Sequence, residues 1–147
     1  MDFSLFFGRL HPLVLHFPIA LILLAAGIEV LRLKWEHPQF AKLVPFLLIV
    51  GAVGALAASG TGWVFAHESH PRPSLRWMLQ WHRWLGIAAT VLAAAAAWVA
   101  SRYATAETSR GRWLRRSAVW LTTIILSAAA HLGALMVWGE DYFNPSA

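Results

Sequence analysis

The chain has 147 residues, of which 59% are hydrophobic and only 13% are charged. This balance excludes an ordinary soluble domain, because soluble domains carry about 25% charged residues. The formal net charge is +5. The basic residues stand at the ends of apolar segments, where lipid headgroups and membrane topology account for them, so we expect no nucleic-acid partner. The chain has no cysteine, which excludes disulfides, iron–sulfur clusters and haem attachment through C-x-x-C-H.

Four apolar stretches are long enough to cross a bilayer as helices, which takes about 20 residues each. With their flanks they predict helices at about 11–33, 43–66, 82–103 and 116–138. The first stretch lacks the basic start and the small-residue cleavage site of a signal peptide, so we expect it to be retained. Short connections favour antiparallel neighbours. The sequence therefore predicts an all-α, up-down-up-down four-helix bundle, one integral membrane domain over residues 1–147, with no internal repeat.

The distribution of lysine and arginine predicts the orientation. Eight of the 12 basic residues belong to the two connections that follow the first and third helices: Arg32, Lys34, Lys42, Arg102, Arg110, Arg112, Arg115 and Arg116. The other four belong to the opposite side: Arg9, Arg72, Arg76 and Arg83. The positive-inside rule then predicts a multi-pass protein of the bacterial inner membrane, with both termini extracytoplasmic.

Small residues are frequent in the second and third predicted helices, for example at Gly51, Gly54 and Ala93–Ala97. In lipid, small residues allow close helix packing. They would also leave room for a flat cofactor between helices. The sequence alone leaves both interpretations open.

Histidines are the most informative polar residues, because ionisable groups inside membrane spans are rare and often functional. The chain has seven: His11, His16, His37, His67, His70, His82 and His131. The predicted topology places all except His37 in the outer half of the membrane or at its outer surface. His37, His67 and His70 are expected in loops or at the interface.

Six-coordinate haem iron needs one axial ligand on each face, and a bundle can supply them from two helices. His16 with His131 fits this need, and His82 is an alternative partner for either. His11 precedes Pro12 and is either a helix start or a functional group. It lies about 140° around the helix from His16, so the two cannot face one small ion. Gly86 and Gly133 stand close to His82 and His131, where they would let a porphyrin approach the backbone.

Three other interpretations of the histidines stay open. They could form hydrogen bonds between helices, bind a metal without haem, or relay protons. A relay across the membrane is disfavoured, because the inner half offers only Glu29. We expect Glu29 to reach the surface or to pair with Arg32.

Three segments resemble an uncharacterised bacterial family of small predicted membrane proteins: LHPLVLHFPIAL at 10–21, HRWLGIA at 82–88 and HLGALMVW at 131–138. The module is also similar to the N-terminal region of some planctomycete membrane proteins that continue into a cytochrome c domain. The matching positions are His11, Pro12, His16, Phe17, Pro18, His82, Gly86, His131, Gly133, Val137 and Trp138. The chain departs from the pattern at Ala134, where many relatives have glycine, and at Glu140, where many have histidine.

The resemblance implies a module that works beside electron transfer. Together with the histidines, it predicts a cytochrome-like subunit that binds haem b near the periplasmic face, with a quinone as a further candidate ligand. Such a subunit would link the quinone pool or a membrane partner to a periplasmic redox protein, and it is not expected to be a stand-alone enzyme. The alternative is a cofactor-free structural or assembly subunit of a larger membrane complex.

The orientation can be tested with one introduced cysteine. Because the basic residues favour cytoplasmic loops, Pro145→Cys should react with an impermeant thiol reagent in intact spheroplasts. Labelling only after the inner membrane is broken would contradict the predicted topology.

Overall fold

The computed structural model describes residues 3–35, 37–68, 72–106, 108–139 and 142. In this part of the chain all the regular structure is helical. The helices are α1 (Phe3–Arg9), α2 (His11–Val14), α3 (His16–Leu31), α4 (Pro38–Glu68), α5 (Arg76–Arg102) and α6 (Ser109–Trp138), and a 3-10 turn, Pro73–Leu75, precedes α5. Four segments are long and apolar enough to cross a membrane: Phe6–Leu31, Pro38–His67, Pro73–Arg102 and Ser109–Trp138. The predicted all-α class with four spans is confirmed.

The helices begin earlier than the apolar stretches that predicted them. α4 begins at Pro38, where the missing N–H of proline costs nothing. α6 begins at Ser109 because the Thr108 hydroxyl accepts a hydrogen bond from the Gly111 N–H and caps the helix. The first span is divided into α1, α2 and α3, because Pro12 and Pro18 cannot donate backbone hydrogen bonds there. Apolar windows locate the lipid-facing part of a helix and miss such polar first turns.

The long helices form a closed ring in which α3 packs on α4, α4 on α5, α5 on α6, and α6 on α3. Small residues line the contacts. A Cβ atom on Gly51 would lie 3.1 Å from Cγ1 of Ile22, and one on Gly54 would lie 3.2 Å from Cδ1 of Phe17. Large apolar side chains such as Trp98 and Ile124 are exposed on the outside of the ring. Gly51 and Gly54 therefore serve the close packing of α4 on α3.

The two halves of the chain repeat each other in structure. α3 ends at Leu31 and α5 at Arg102, while α4 begins at Pro38 and α6 at Ser109, each pair 71 residues apart (102 minus 31, 109 minus 38). Burial follows the same offset. Buried residues of the first half and their buried equivalents in the second are Ile22 and Ala93, Ala25 and Ala96, Leu48 and Val119, and Ala58 and Ala129. The prediction of no internal repeat is wrong, because the repeat lies mainly in register and burial: Ile22 and Leu48 differ in type from their equivalents, whereas Ala25 and Ala58 do not.

The α1–α4 and α5–α6 hairpins are thus related by an approximate two-fold axis. Each hairpin contains an even number of spans, so both have the same orientation and the axis runs along the bundle, as in parallel membrane repeats. Both described chain ends lie at the end where α4 and α6 finish, which we call the histidine end. The opposite end, where α3 and α5 finish, we call the arginine end. The eight basic residues counted above lie at the arginine end or in its connections, and the other four lie at the histidine end.

Close packing between α3 and α4 can be tested within one helix. Gly54→Val would place a branched side chain against Phe17 and Pro18, so we expect a loss of about 1–3 kcal/mol in the free energy of unfolding. Gly60→Val is the matched control, because a Cβ atom there meets nothing within 4 Å. Unfolding in detergent measures both. Equal losses for the two variants would contradict the packing described here.

Candidate functional site

His11 and His82 meet near the approximate two-fold axis at the histidine end. They are equivalent residues of the two hairpins, separated by the same 71 positions (82 minus 11), and their ring centroids lie 6.1 Å apart with the ring planes at 77°. A residue that contacts its own equivalent must lie close to a two-fold axis. Both rings are partly buried. His82 lies six residues into α5, about 9 Å from its start.

Each ring is oriented by a short hydrogen bond to a carbonyl oxygen of its own hairpin, and His11 Nδ1 also lies 3.5 Å from the Thr61 hydroxyl oxygen. Nδ1 of His11 lies 2.9 Å from the carbonyl oxygen of Ala58, and Nδ1 of His82 lies 2.8 Å from that of Ala129. Both bonds join residues 47 positions apart. A carbonyl oxygen can only accept, so both Nδ1 atoms carry the proton. In the neutral imidazole this leaves Nε2 with an available lone pair, and among the described residues neither Nε2 has a hydrogen-bond partner.

The glycines beneath the rings are equivalent too. A Cβ atom on Gly62 would lie 2.7 Å from Cε1 of His11, and one on Gly133 would lie 3.0 Å from Cε1 of His82. These glycines allow the imidazoles to approach the backbone of α4 and α6. Gly133 therefore supports His82 rather than its neighbour in sequence, His131. Gly86, one turn after His82, has open space around it, since a Cβ atom there meets nothing within 4 Å.

The structure does not bring the predicted pair His16 and His131 together with this site. Both side chains are exposed on the outside of the bundle. Nδ1 of His16 donates to the carbonyl oxygen of Pro12 in the preceding turn. His37 and His67 are exposed at opposite ends of α4, as expected for interfacial residues, and His70 lies outside the described residues. No group of three or more potential metal-ligating side chains occurs in the described part of the chain.

A second polar cluster, at the arginine end, surrounds Glu29. This carboxylate is fully buried and accepts a 2.8 Å hydrogen bond from Nε of Arg115, whose side chain is also fully buried. NH1 of Arg32 lies 3.3 Å from the same carboxylate, and Nε of Arg116 lies 3.6 Å from it. The cluster joins α3 to α6, the two helices that close the ring.

The three guanidinium groups also bind carbonyl oxygens where α3 and α5 end. Arg115 donates to Tyr103, Arg32 donates to Ala104, and Arg116 donates to the carbonyl of Arg32. The last carbonyls of a helix lack partners within it and carry partial negative charge. The cluster therefore caps two helix ends while it pairs with Glu29.

A model of the family described as "Predicted membrane protein (DUF2231)" matches residues 9–142. The chain belongs to this family. The match covers both hairpins, including His11, His82 and the cluster around Glu29. Comparisons with curated proteins and with solved structures found no match. The resemblance to a family of small predicted membrane proteins is thereby confirmed, and the chain is a membrane protein with four helices able to span the bilayer.

The sequence prediction for Glu29 was incomplete. Glu29 does pair with Arg32, but it is buried rather than directed to the surface, and its shortest hydrogen bond is to Arg115. The apolar stretch predicts that the fourth helix begins at about residue 116, which leaves Arg115 in the connection before it. In the structure this helix, α6, begins at Ser109, six residues before Arg115. A lone acidic residue in an apolar run was the available signal, since such a residue usually has a basic partner inside the bundle.

The hairpin repeat provides a test of the cluster. The equivalents of Glu29 and Arg115 are Ala100 and Val44, which are both buried. Glu29→Ala leaves three guanidinium groups without their carboxylate, so we expect a loss of about 3–5 kcal/mol. Adding Arg115→Val should recover part of that loss, because it reproduces the apolar pair of the other interface. Unfolding of the two single variants and the double variant in detergent gives the coupling energy. Strictly additive losses would contradict the arrangement.

Proposed function

We propose that this protein is a b-type cytochrome-like subunit of the bacterial inner membrane, with haem b held between His11 and His82 at the periplasmic side. One observation carries the proposal: two equivalent imidazoles meet edge-on across the hairpin interface, with both Nδ1 atoms hydrogen-bonded to carbonyl oxygens and neither Nε2 atom hydrogen-bonded to a described residue. Ligand sites in repeated membrane folds commonly lie where the repeats meet.

The donor chemistry of the pair fits a metal-centred cofactor. Histidines that bind metals usually donate their other ring N–H to a carbonyl or carboxylate, which fixes the ring and raises its basicity. The carbonyls of Ala58 and Ala129 would have this role here. Two imidazoles on opposite faces of one metal ion have ring centres about 6 Å apart, because each metal–nitrogen bond is about 2.1 Å and the ring centre lies roughly 1 Å further. The 6.1 Å separation of His11 and His82 agrees with this value.

The remaining residues would define the environment of the cofactor. Gly62 and Gly133 let the two imidazoles lie against the helices that orient them. Open space beside Gly86 would give clearance on the inner side of His82. Haem, when bound, supplies the one-electron redox chemistry, and the protein supplies ligands, orientation and an apolar shell.

The cellular role follows from the same proposal. The protein would transfer electrons between the quinone pool or a membrane partner and a periplasmic redox protein. The similarity of the module to membrane regions that continue into a cytochrome c domain supports such a partner. The excess of basic residues at the arginine end supports a periplasmic histidine end.

A cofactor-free structural or assembly subunit is the second candidate. It is favoured by the same two hydrogen bonds, because an imidazole bonded to a carbonyl of a neighbouring helix also holds membrane helices together. In that case the two Nε2 atoms would have no ligand.

Four single variants separate the possible ligand pairs. His11→Ala and His82→Ala should each abolish or strongly reduce the Soret band of protein made with ample haem, because each would remove one of the two imidazoles proposed to hold the haem. His16→Ala and His131→Ala should retain it, since these side chains lie outside the bundle. His37→Ala is the control at the arginine end. Visible spectra normalised to protein, beside thermal stability of each variant, provide the measurement.

The outcomes are distinct. Loss of the band only in the His16 and His131 variants would return the site to the pair that the sequence favoured. Wild-type protein without a Soret band in the presence of ample haem would favour the structural subunit. Gly133→Val should reduce haem occupancy like His82→Ala, because the new side chain would displace the His82 ring.

A further inference from the structure

A cleft of about 340 Å³ lies at the histidine end, between the last turns of α4 and the first turns of α5. Neither His11 nor His82 lines it, and several of its wall residues, such as Trp63 and Trp84, are exposed. Its walls include Trp63, Arg76, Gln80, Arg83, Trp84 and Ile87. Hydrogen-bond donors and apolar surface thus share one cleft near the start of the candidate membrane span Pro73–Arg102.

The polar side of the cleft is a stripe on α5. Arg76, Gln80 and Arg83 are spaced four and three residues apart, so they lie on one face of the helix. Arg83 is held in position by Trp63, with its guanidinium carbon 4.1 Å from the centroid of that ring. The cleft therefore has two cationic groups on one face, and one of them is already oriented.

No acidic side chain of the described residues lines the cleft. The ion pairs of the described side chains all involve Glu29, at the arginine end. Two positive charges in a cleft without a carboxylate favour an anionic ligand. Phosphate oxygens are suited to arginine, which donates to two of them at once.

The apolar side of the cleft points to a lipid. Trp84 and Ile87 lie one turn and nearly two turns further along α5 than Gln80 and continue into the membrane-spanning part. Tryptophan is typical of the membrane interface, where its ring lies at the level of the headgroups. An acyl chain could therefore follow Trp84 and Ile87 while the phosphate contacts the arginines.

Trp63 and Arg83 have no counterparts of the same type in the hairpin repeat. The positions equivalent to Trp63 and Arg83 are Ala134 and Pro12 (134 minus 63 and 83 minus 12 both give 71). The cation–π contact is therefore present at one of two equivalent hairpin junctions.

We propose that this cleft binds the phosphate headgroup of an anionic phospholipid through Arg76 and Arg83, with an acyl chain against Trp84 and Ile87. The site does not depend on the proposed haem. The two arginines would select an anionic lipid over a zwitterionic one.

The test compares lipid retention by purified protein. Detergent-solubilised protein is incubated with dioleoylphosphatidylglycerol or dioleoylphosphatidylcholine, and the lipids that remain bound are counted by native mass spectrometry. We expect roughly 10- to 30-fold tighter binding of phosphatidylglycerol, the effect of about two interfacial arginines. The double variant R76Q/R83Q should lose this preference. The variant R9Q/R72Q removes the same charge from exposed positions at the same end and should keep it.

Several results would overturn the proposal. Equal retention of the two lipids by the wild type would do so, as would equal loss in R76Q/R83Q and R9Q/R72Q. Displacement of phosphatidylglycerol by millimolar inorganic phosphate alone would identify a free anion as the ligand, and displacement by a neutral quinone would identify a quinone site.

If R76Q/R83Q does not fold, the single variants Arg83→Lys and Arg76→Gln provide the test. Arg83→Lys keeps the charge and should keep most of the preference, whereas Arg76→Gln should weaken it.

Discussion

Close approach between helices is the constraint on which this structure depends. Lipid provides no hydrophobic force between helices, so association relies on contact area and on hydrogen bonds between them. Gly54 and Gly51 allow α4 to lie directly on α3, and the alanines of α5, such as Ala93, do the same on the other side. The same closeness brings the His11 and His82 rings within reach of carbonyl oxygens of α4 and α6. Gly62 and Gly133 are the positions where this contact leaves no space for a side chain.

The approximate two-fold axis allows the two hairpins to be compared position by position, so that shared contacts can be distinguished from contacts present in only one hairpin. Around the His11–His82 contact the hairpins agree, with equivalent imidazoles, carbonyls and glycines. At the arginine end they differ, since Glu29 and Arg115 form an ion pair where the other interface has Ala100 and Val44. A buried ion pair adds little stability over a well-packed apolar pair. Its presence at one interface makes the two faces of the ring unequal, and it also caps the ends of α3 and α5.

Hydropathy and basic-residue counts were sufficient to predict the number of spans and the end at which each basic residue lies. They could not predict the start of α6, because Ser109–Arg116 is polar and resembles a connection until the Thr108 cap and the Glu29 partner are known. The repeat was hidden as well, since it relates Ile22 to Ala93 and Leu48 to Val119, residues that share burial but not identity.

The histidines show the same limit of sequence reasoning. His11, His16, His82 and His131 were all candidates from their depth in the predicted spans, and depth is a property that the sequence gives well. Which of them face inward depends on helix rotation, which Pro12 and Pro18 alter in the first span. The structure directs His11 and His82 inward and leaves His16 and His131 on the outer surface. In the sequence, each inward histidine precedes an alanine of the following membrane span by 47 residues. Only the structure shows that the histidine and the alanine of each pair are hydrogen-bonded.

The central claim is that His11 and His82 form one ligand pair, and the spin state of bound haem tests it most directly. Electron paramagnetic resonance of the oxidised, haem-loaded protein should show a low-spin ferric signal, because both His11 and His82 would hold the iron. In His11→Ala and in His82→Ala that signal should give way to a high-spin one, since one axial donor is lost, while His16→Ala should keep the low-spin signal. A low-spin signal that survives in both the His11 and the His82 variants would contradict the account.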